Sequence, residues 1–226
     1  MFGALLHLIF PNHCYACEEE INSQLQHICL KCRNEMPRGF DSIHKNTAID
    51  KLFWGKVALE KSTAFLKFEK NGKAQRLIHH LKYDGKKEIG VTLGEMAAAE
   101  LMEINFFENI DYLIPVPIHK LKEKIRGYNQ SHYIAEGIHT ITKIPVDKTS
   151  ILKITHTQSQ TRKGKFRRWE NVSSTFEVQK TSQLQGKHLL LIDDVLTTGS
   201  TIEACAQELQ KIPDVKLSLL AIAYTY

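Results

Sequence analysis

Two adjacent carboxylates precede a run of small residues in the segment LLLIDDVLTTGST, residues 189–201. The four apolar residues predict a buried strand, which leads into Asp193 and Asp194. Because successive side chains of a strand point to opposite faces, we expect the two acids to lie where the strand gives way to a loop. In an open parallel sheet, ligands bind beyond the carboxyl ends of the strands. Carboxylates there can accept hydrogen bonds from sugar hydroxyls or hold magnesium through water.

The small residues after the acids favour an anion site. They are Thr197, Thr198, Gly199, Ser200 and Thr201. The helix predicted to follow would offer free N–H groups and a partial positive charge to a phosphate, and Gly199 would let the backbone approach it. A capping box is the alternative without a ligand, since Ser200 and Glu203 fit the S-x-x-E pattern. That alternative explains Ser200 but leaves the paired acids unexplained. The motifs of P-loop nucleotidases and Rossmann dehydrogenases are absent from the sequence.

Four of the five cysteines predict a metal site. They form two C-x2-C pairs, Cys14 with Cys17 and Cys29 with Cys32. This spacing is typical of tetrahedral zinc, and four thiolates leave no open coordination position, so we expect a structural metal. His13 and His27 flank the pairs and could substitute as ligands, although surface positions suit them better. Cys205 falls on the apolar stripe of a predicted helix and is expected in the core.

Strands and helices alternate from about residue 90 to the end, which favours a mainly parallel sheet with helices on its faces. The predicted strands are 56–60, 64–70, 111–117, 188–194 and 216–224. The predicted helices are 73–83, 91–104, 129–142 and 200–210. The composition changes after Pro37, so we divide the chain into a zinc-ribbon-like module, 1–38, and one larger domain, 39–226.

The bulk composition is that of a globular protein with one substantial core. The chain has 226 residues, 42% hydrophobic, and a net charge of +5, a mild excess that suits phosphate-bearing ligands. Its first ten residues are apolar but too few to cross a bilayer, and they lack the features of a signal peptide. We predict that they form a short helix. We further expect a cytoplasmic protein with reduced thiols and no membrane insertion.

The acids and small residues together resemble the phosphoribosyl-pyrophosphate (PRPP) loop of type I phosphoribosyltransferases. Three further features extend the resemblance to the ComF family, a group named for bacterial competence. These features are the four-cysteine module, the segment LIPVPIHKLKEKIRGYNQS at 113–131, and the segment THTQSQTRKGKFRRWENVSSTF at 155–176. The resemblance covers nearly the whole chain. It implies an α/β fold like that of type I phosphoribosyltransferases, with a small amino-terminal zinc module.

The resemblance also implies roles for individual residues. Asp193 and Asp194 would contact the ribose hydroxyls of PRPP and its magnesium, residues 197–201 would cradle the 5-phosphate, and the turn at 115–119 would be the pyrophosphate loop. The other binding positions implied by the matching motifs are Arg126, Asn129, Gln130, Gln160 and Arg168. One departure is KEKIRG, where relatives carry several arginines: Lys124 offers a point charge instead of a bidentate fork.

Two further groups of residues have no settled role. The segment RKGKFRR, 162–168, carries five cations and no acid, which is typical of a solvated loop but also suits closure over a polyanion or contact with nucleic acid. Phe166 and Trp169 could stack on bases or pack on the body. His79 and His80 lie on one predicted helix and are candidate polar site groups, although paired histidines on a helix are more often structural. Lys82 on the same helix stands where the ComF family commonly has a lysine, but we assign it no chemical role.

Two functions from different classes therefore stay open. One is an enzyme that transfers the phosphoribosyl group of PRPP to an unidentified acceptor, mainly by positioning and charge stabilisation. The other is a non-enzymatic accessory protein of DNA uptake. On that hypothesis the inherited site holds PRPP, a nucleotide-like small molecule or only DNA phosphates, and the partners are single-stranded DNA and a competence helicase.

Overall fold

A central parallel sheet organises the molecule. In the computed structural model, which describes residues 12–21, 27–40, 48–154 and 175–225, the chain forms six strands. They are β1 Ser62–Lys67, β2 Tyr112–Pro115, β3 Ile151–Lys153, β4 Phe176–Val178, β5 His188–Leu196 and β6 Lys216–Tyr224. The central sheet has the order β1-β6-β5-β2 with every neighbouring pair parallel, while β3 and β4 form a separate antiparallel pair. The predicted α/β class with a mainly parallel sheet is confirmed.

Helices cover both faces of this sheet. They are α1 Leu30–Glu35, α2 Ala48–Phe53, α3 Lys73–Tyr83, α4 Lys87–Met102, α5 Lys120–Arg126, α6 Gln130–Thr142, α7 Thr181–Leu184 and α8 Ser200–Leu209. In the part of the chain that the structure describes, none of them combines the length and apolarity needed to span a membrane. The helix predicted within the first ten residues lies outside the described residues.

The predicted elements with strong periodicity are confirmed, and one weak prediction is wrong. Helix α3 begins and ends as predicted, as does β6. Residues 56–60 are not a strand, because the N–H groups of Lys56 and Val57 bond back to the Phe53 carbonyl in a turn that closes α2. The alternation there reflects Val57 and Leu59, which pack on the core from an irregular segment. The helices that were not predicted, α1, α2, α5 and α7, have seven residues or fewer, too few for a clear period.

Alternation along β5 divides the apolar interior between the two faces of the sheet. Leu190 and Ile192 pack with the helices α4 and α6, whereas Leu189 and Leu191 pack with α8. The α4–α6 contact depends on Gly94 and Gly137, because a side chain on either would collide with the facing helix. A Cβ on Gly137 would lie 2.1 Å from the Val91 carbonyl oxygen. The two helix backbones therefore approach closely, and α6 is held firmly beside β2 and β5.

The amino-terminal residues share the core of the larger domain. Cys14 and Cys32 are buried in the same apolar cluster as Phe65 of β1. Arg38 forms a two-pronged ion pair with Glu100 of α4, with both N–O distances 2.6 Å. These contacts anchor the end of the four-cysteine module on the body. The domain boundary between residues 38 and 39 stays a prediction.

Candidate functional site

A cavity of about 200 Å³ opens at the carboxyl edge of β2 and β5. We name it the acid cavity, because both paired aspartates line it. Its lining residues are Lys82, Val116, Pro117, Ile118, His119, Lys122, Arg126, Lys153, Asp193, Asp194, Val195 and Thr201. The cavity thus lies where ligands bind in open parallel sheets, and it gathers residues from α3, α5, β3, β5 and α8.

The paired acids occupy the interior of β5 and not its end. Pairing with β6 continues through Asp193 to Leu196, so the expectation that the strand gives way at the acids is wrong. The two side chains have different partners. Asp193 Oδ1 accepts hydrogen bonds from Ser131 Oγ at 3.2 Å and from the Asp194 N–H at 2.9 Å. Asp194 Oδ1 lies 2.8 Å from Lys82 Nζ, and both of these side chains are largely buried.

The environment of Asp193 disfavours its negative charge. Burial is the largest cause, and the neighbouring Asp194 carboxylate is the second; together they raise the pKa of Asp193 to about 7, although the Asp194 N–H, Lys82 and Ser131 oppose them. A group that supplies positive charge or hydroxyl donors would relieve this cost. A ribose, a divalent cation or both meet that requirement, and carboxylates are the oxygen ligands that magnesium accepts. The donor set therefore fits a sugar with magnesium.

The phosphate loop, residues 197–201, leads into α8 through a left-handed glycine. Gly199 has φ 74° and is the N-cap, and within the described part of the chain no side chain caps this helix. Ser200 is the first helical residue, and its hydroxyl lies 3.1 Å from the Thr198 hydroxyl, while Glu203 pairs with Lys56. The capping-box alternative is therefore wrong. Thr201 also lines the acid cavity, so the loop adjoins the acids.

The R-G-Y-N-Q element at 126–130 contributes one side chain to the cavity and two to its scaffold. Arg126 lines the cavity, where its Nη1 donates to Gln130 Oε1 at 2.8 Å. Asn129 accepts from the Ser131 N–H as the N-cap of α6 and donates to the Val116 carbonyl at 3.0 Å. Gln130 is buried. Binding roles for Asn129 and Gln130 stay predictions, and Gln160, Arg168 and the basic segment 162–168 lie outside the described residues.

Three lysines to which the sequence analysis assigned no role also line the cavity. Lys82 comes from the last turn of α3, Lys122 from α5 and Lys153 from the end of β3. Burial and then the charge of Lys122 lower the pKa of Lys153. Lys122 lies within the segment 113–131 that resembles the family, but the sequence carried no signal for Lys153, because only the fold brings β3 beside the acids. His79 and His80 instead lie beside Asp84, and neither lines the acid cavity.

The cysteine cluster, formed by the two C-x2-C pairs, fits one tetrahedral metal. Its four sulfur atoms all lie within 4.8 Å of one another, and Cys17 Sγ is 3.9 Å from Cys29 Sγ. Zinc–sulfur bonds of about 2.3 Å in a tetrahedron place sulfur atoms about 3.8 Å apart, so the spacing matches. Burial acts to raise the pKa of the Cys14 thiol, but N–H donors led by Cys29 outweigh it and lower this pKa to about 7. The cluster can therefore hold a metal such as zinc.

Comparison with known proteins gives relatives associated with DNA and competence. "DNA utilization protein YhgH" of Escherichia coli O157:H7 is 29% identical over 134 residues, 58% of this chain and 58% of that protein. "Competence protein F" of Haemophilus influenzae is 24% identical over 151 residues, 65% of this chain and 66% of that protein. "Competence protein ComFC" of Bacillus subtilis is 22% identical over 205 residues, 89% of this chain and 80% of that protein. The chain therefore matches less than two thirds of the Escherichia coli protein's length.

Solved structures that resemble the chain include a phosphoribosyltransferase and a UMP synthase. A hypoxanthine phosphoribosyltransferase from Staphylococcus aureus has a TM-score of 0.37 and 15% identity, over 60% of this chain and 62% of that one. The UMP synthase of Leishmania donovani has a TM-score of 0.34 and 14% identity, over 75% of this chain and 32% of that one. Because both TM-scores are low, we assign the fold from the strand order of the central sheet and not from these structures. No protein-family model matches the chain. The relatives named for competence and DNA utilisation confirm the resemblance to the ComF family.

Proposed function

We propose that the chain is a phosphoribosyltransferase-like protein that binds PRPP, or a related ribose 5-phosphate ligand, with magnesium in the acid cavity. We further propose that this binding contributes to DNA uptake. One observation carries the proposal: paired acids, an uncapped helix amino end and several cations meet around one cavity at the carboxyl edge of a parallel sheet. The names of the relatives support the link to competence.

The charges around the acid cavity match the parts of PRPP. Asp193 and Asp194 supply acceptors for ribose hydroxyls and oxygen ligands for magnesium. The amino end of α8 supplies N–H groups for the 5-phosphate. The cations that face the same space suit a diphosphate; they are Lys82, Lys122, Arg126 and Lys153. This division assigns each charged group of the ligand a partner of opposite charge.

The same arrangement supports transfer chemistry. A nucleophile forms a bond to the anomeric carbon as the bond to pyrophosphate breaks, and the electron pair of that bond leaves with pyrophosphate. Cations beside the leaving group stabilise the charge that develops there, and the fixed geometry positions the reactants. A screen for PRPP-dependent pyrophosphate release across candidate acceptors tests turnover separately from binding.

A melting experiment tests the binding site. PRPP with magnesium is expected to raise the melting temperature of the wild-type chain, since a ligand that binds only the folded state stabilises it. The double variant Asp193→Asn with Asp194→Asn is expected to lose this shift. Asp214→Asn, a change of an exposed acid in a turn, is the matched control and should keep it. An unchanged melting temperature at millimolar PRPP would refute the proposed site.

We also propose that the cysteine cluster holds structural zinc and that the protein is cytoplasmic. Five free cysteines support a reducing location, and the spacing of the four sulfur atoms supports zinc. Metal analysis is expected to give one zinc per chain, and Cys205→Ala should leave this ratio unchanged. Because Cys14 and Cys32 belong to the main apolar cluster, chelation should lower the melting temperature of the whole chain. Stability that is indifferent to chelation would contradict a structural metal.

A second candidate function is binding of single-stranded DNA beside a competence helicase. Three contacts between a basic and an aromatic side chain support it. Tyr83 is 65% exposed, and the Arg126 guanidinium lies 5.6 Å from its ring centroid. Lys86 lies over Tyr15 and Lys87 over Tyr133 in the same manner. Interleaved aromatic and basic side chains suit single strands, because bases stack while cations meet phosphates.

Titration with single-stranded DNA at several salt concentrations tests this candidate. Binding should weaken steeply with salt, and Lys86→Gln with Lys87→Gln should reduce the slope. Neutralising the five cations within 162–168 is the parallel experiment for the basic segment. Binding that neither set of changes affects would remove both surfaces from consideration.

A further inference from the structure

An ion pair inside the acid cavity joins Lys82 of α3 to Asp194 of β5. The Nζ and Oδ1 atoms lie 2.8 Å apart, and the two side chains are only 20% and 11% exposed. Among the described residues, no other cation forms an ion pair with Asp194 or with Asp193. Charges that are withdrawn from water need such partners. Lys82 is therefore the internal counter-ion of a carboxylate that the proposed function assigns to a ribose and magnesium.

Two residues of the R-G-Y-N-Q element hold the chain neighbours of Lys82 in place. The Tyr128 hydroxyl donates to the Leu81 carbonyl at 2.6 Å, and the Arg126 guanidinium lies 5.6 Å from the Tyr83 ring centroid. Burial is the largest cause that raises the pKa of Tyr128 to about 12, so its hydroxyl keeps the proton that it donates. These contacts fix the last turn of α3, from which Lys82 reaches the acids.

The Lys82 ammonium and a magnesium ion would compete for the Asp194 carboxylate. Magnesium binds oxygen ligands at about 2.0–2.1 Å, and two cations beside one poorly solvated carboxylate repel each other. A lysine suits a partner that must be exchanged, because it carries a point charge on a flexible stem, whereas arginine holds a carboxylate with a rigid fork. Lys82 shares the cavity with Lys122 and Arg126, so it can turn from Asp194 to a diphosphate without leaving the site.

We infer that Lys82 makes magnesium binding conditional on PRPP. Lys82 holds Asp194 when no ligand is bound, and it transfers its hydrogen bonds to the diphosphate when PRPP and magnesium bind together. Each charge then has a partner of opposite sign in both states, and magnesium alone binds weakly. Tyr128 is a positioning residue that acts through Lys82. The transfer to the diphosphate rests on the proposed PRPP function, whereas the counter-ion role rests on the ion pair itself.

Mn²⁺ binding to the full chain without PRPP tests the counter-ion role. Mn²⁺ accepts the same oxygen ligands as magnesium, and its unbound fraction is measured by electron paramagnetic resonance. Lys82→Gln removes the competing charge, so it should tighten Mn²⁺ binding by at least about tenfold. Adding Asp194→Asn to this variant should abolish the gain. Lys82→Arg keeps the charge and should bind Mn²⁺ as weakly as wild type.

PRPP binding at saturating magnesium tests the transfer to the diphosphate. Lys82→Gln should weaken PRPP binding by about tenfold, because the diphosphate loses one cation. The same variant is thus expected to tighten Mn²⁺ and to weaken PRPP, whereas general damage to the site would weaken both. Lys73→Gln is the matched control, since Lys73 also lies on α3 and pairs with a carboxylate, Glu35, outside the cavity. It should leave both affinities unchanged.

Tyr128→Phe keeps both charges of the ion pair, so it tests the positioning of Lys82 even if Lys82→Gln fails to fold. Loss of the hydrogen bond to Leu81 should loosen Lys82, which tightens Mn²⁺ binding and weakens PRPP binding by about two- to tenfold each. Tyr133→Phe is the control. It removes the hydroxyl of the adjacent ring, 5.2 Å away between centroids, and should change neither affinity.

The outcomes separate the counter-ion role from the proposed function. Tighter Mn²⁺ binding in Lys82→Gln, with no PRPP binding in any variant, would keep Lys82 as the counter-ion and refute the PRPP site. Mn²⁺ affinity that neither Lys82→Gln nor Tyr128→Phe increases would overturn the counter-ion role, as would a gain that survives Asp194→Asn. PRPP binding that Lys82→Gln tightens would overturn the transfer to the diphosphate.

Discussion

Two junctions, where the chain enters α6 and α8 beside the neighbouring strands β2 and β5, differ in how the helix amino end is capped. The chain leaves β2 through the short helix α5 and then enters α6 at Asn129, whose side chain caps the helix and also donates to the Val116 carbonyl. After β5, the chain enters α8 through Gly199, which has no side chain to offer. The Asn129 side chain satisfies one N–H group at the amino end of α6, whereas no described side chain caps α8. This difference agrees with the proposal that α8 binds an anion while α6 positions residues.

The largest expected effect comes from blocking the uncapped junction. In Gly199→Val, a Cβ would lie 3.0 Å from the Phe53 ring and the left-handed φ would be strained, so the loop must move. We expect PRPP binding to weaken by more than about 100-fold, which corresponds to about 3 kcal/mol. Gly186→Val is the matched control: it has a similar φ of 67° and no atom near its added Cβ. Equal PRPP affinity in both variants would show that the loop does not bind the ligand.

Asp193 connects the two junctions, and its charge should make stability depend on pH. Its folded pKa of about 7 is above the ordinary value of 3.8, so the folded state binds more protons between these values and stability falls as pH rises from about 4 to 7. Asp193→Asn removes this dependence. Between pH 4 and 7, we expect the unfolding free energy of Asp193→Asn relative to wild type to grow by about 3 kcal/mol.

Denaturant unfolding at several pH values measures the effect of Asp193→Asn. The control Asp214→Asn changes an exposed acid, so its profile should run parallel to that of wild type. A difference between Asp193→Asn and wild type that stays constant between pH 4 and 8 would contradict the raised pKa.

Removing the cap of the other junction should cost stability. Asn129→Ala deletes the acceptor for the Ser131 N–H and the donor to Val116, and we expect a loss of about 1 to 2 kcal/mol in unfolding free energy. Asn129→Asp retains the acceptor and loses only the donor, so it should cost less. Chemical denaturation compares the three proteins. If Asn129→Ala were as stable as wild type, the Asn129 cap would not stabilise α6, and the contrast between the two helix ends would be refuted.

The smallest effect on stability is expected at Ser200. Because Ser200 lies inside α8 and not at its cap, Ser200→Ala should change the unfolding free energy by less than about 0.5 kcal/mol. PRPP affinity should fall measurably, since one hydroxyl of the phosphate loop is lost. A loss of stability of about 1 kcal/mol, the usual effect of a missing N-cap, would restore the capping box as the reason for this serine.

Local patterns were predictable where near neighbours decide the structure. The apolar run of β5, the period of α3 and the loop of small residues before α8 all depend on residues within a few positions. The exact end of β5 was not predictable, because its last residues are held by β6, which comes later in the chain. Residues 56–60 were wrongly predicted as a strand because their apolar side chains face the core as those of a strand would. These residues form a turn instead.

The sequence by itself determined the parallel α/β fold, the cysteine cluster and the paired acids that precede a loop of small residues. Each of these depends on local spacing or on alternation of residue types. Only the tertiary structure decided which side chains surround the acids. Ser131 meets Asp193 from 62 positions away, and Lys82 and Lys153 reach the same cavity from α3 and β3. Strand order and helix packing create these contacts, and neither is determined by the residues adjacent to each site in sequence.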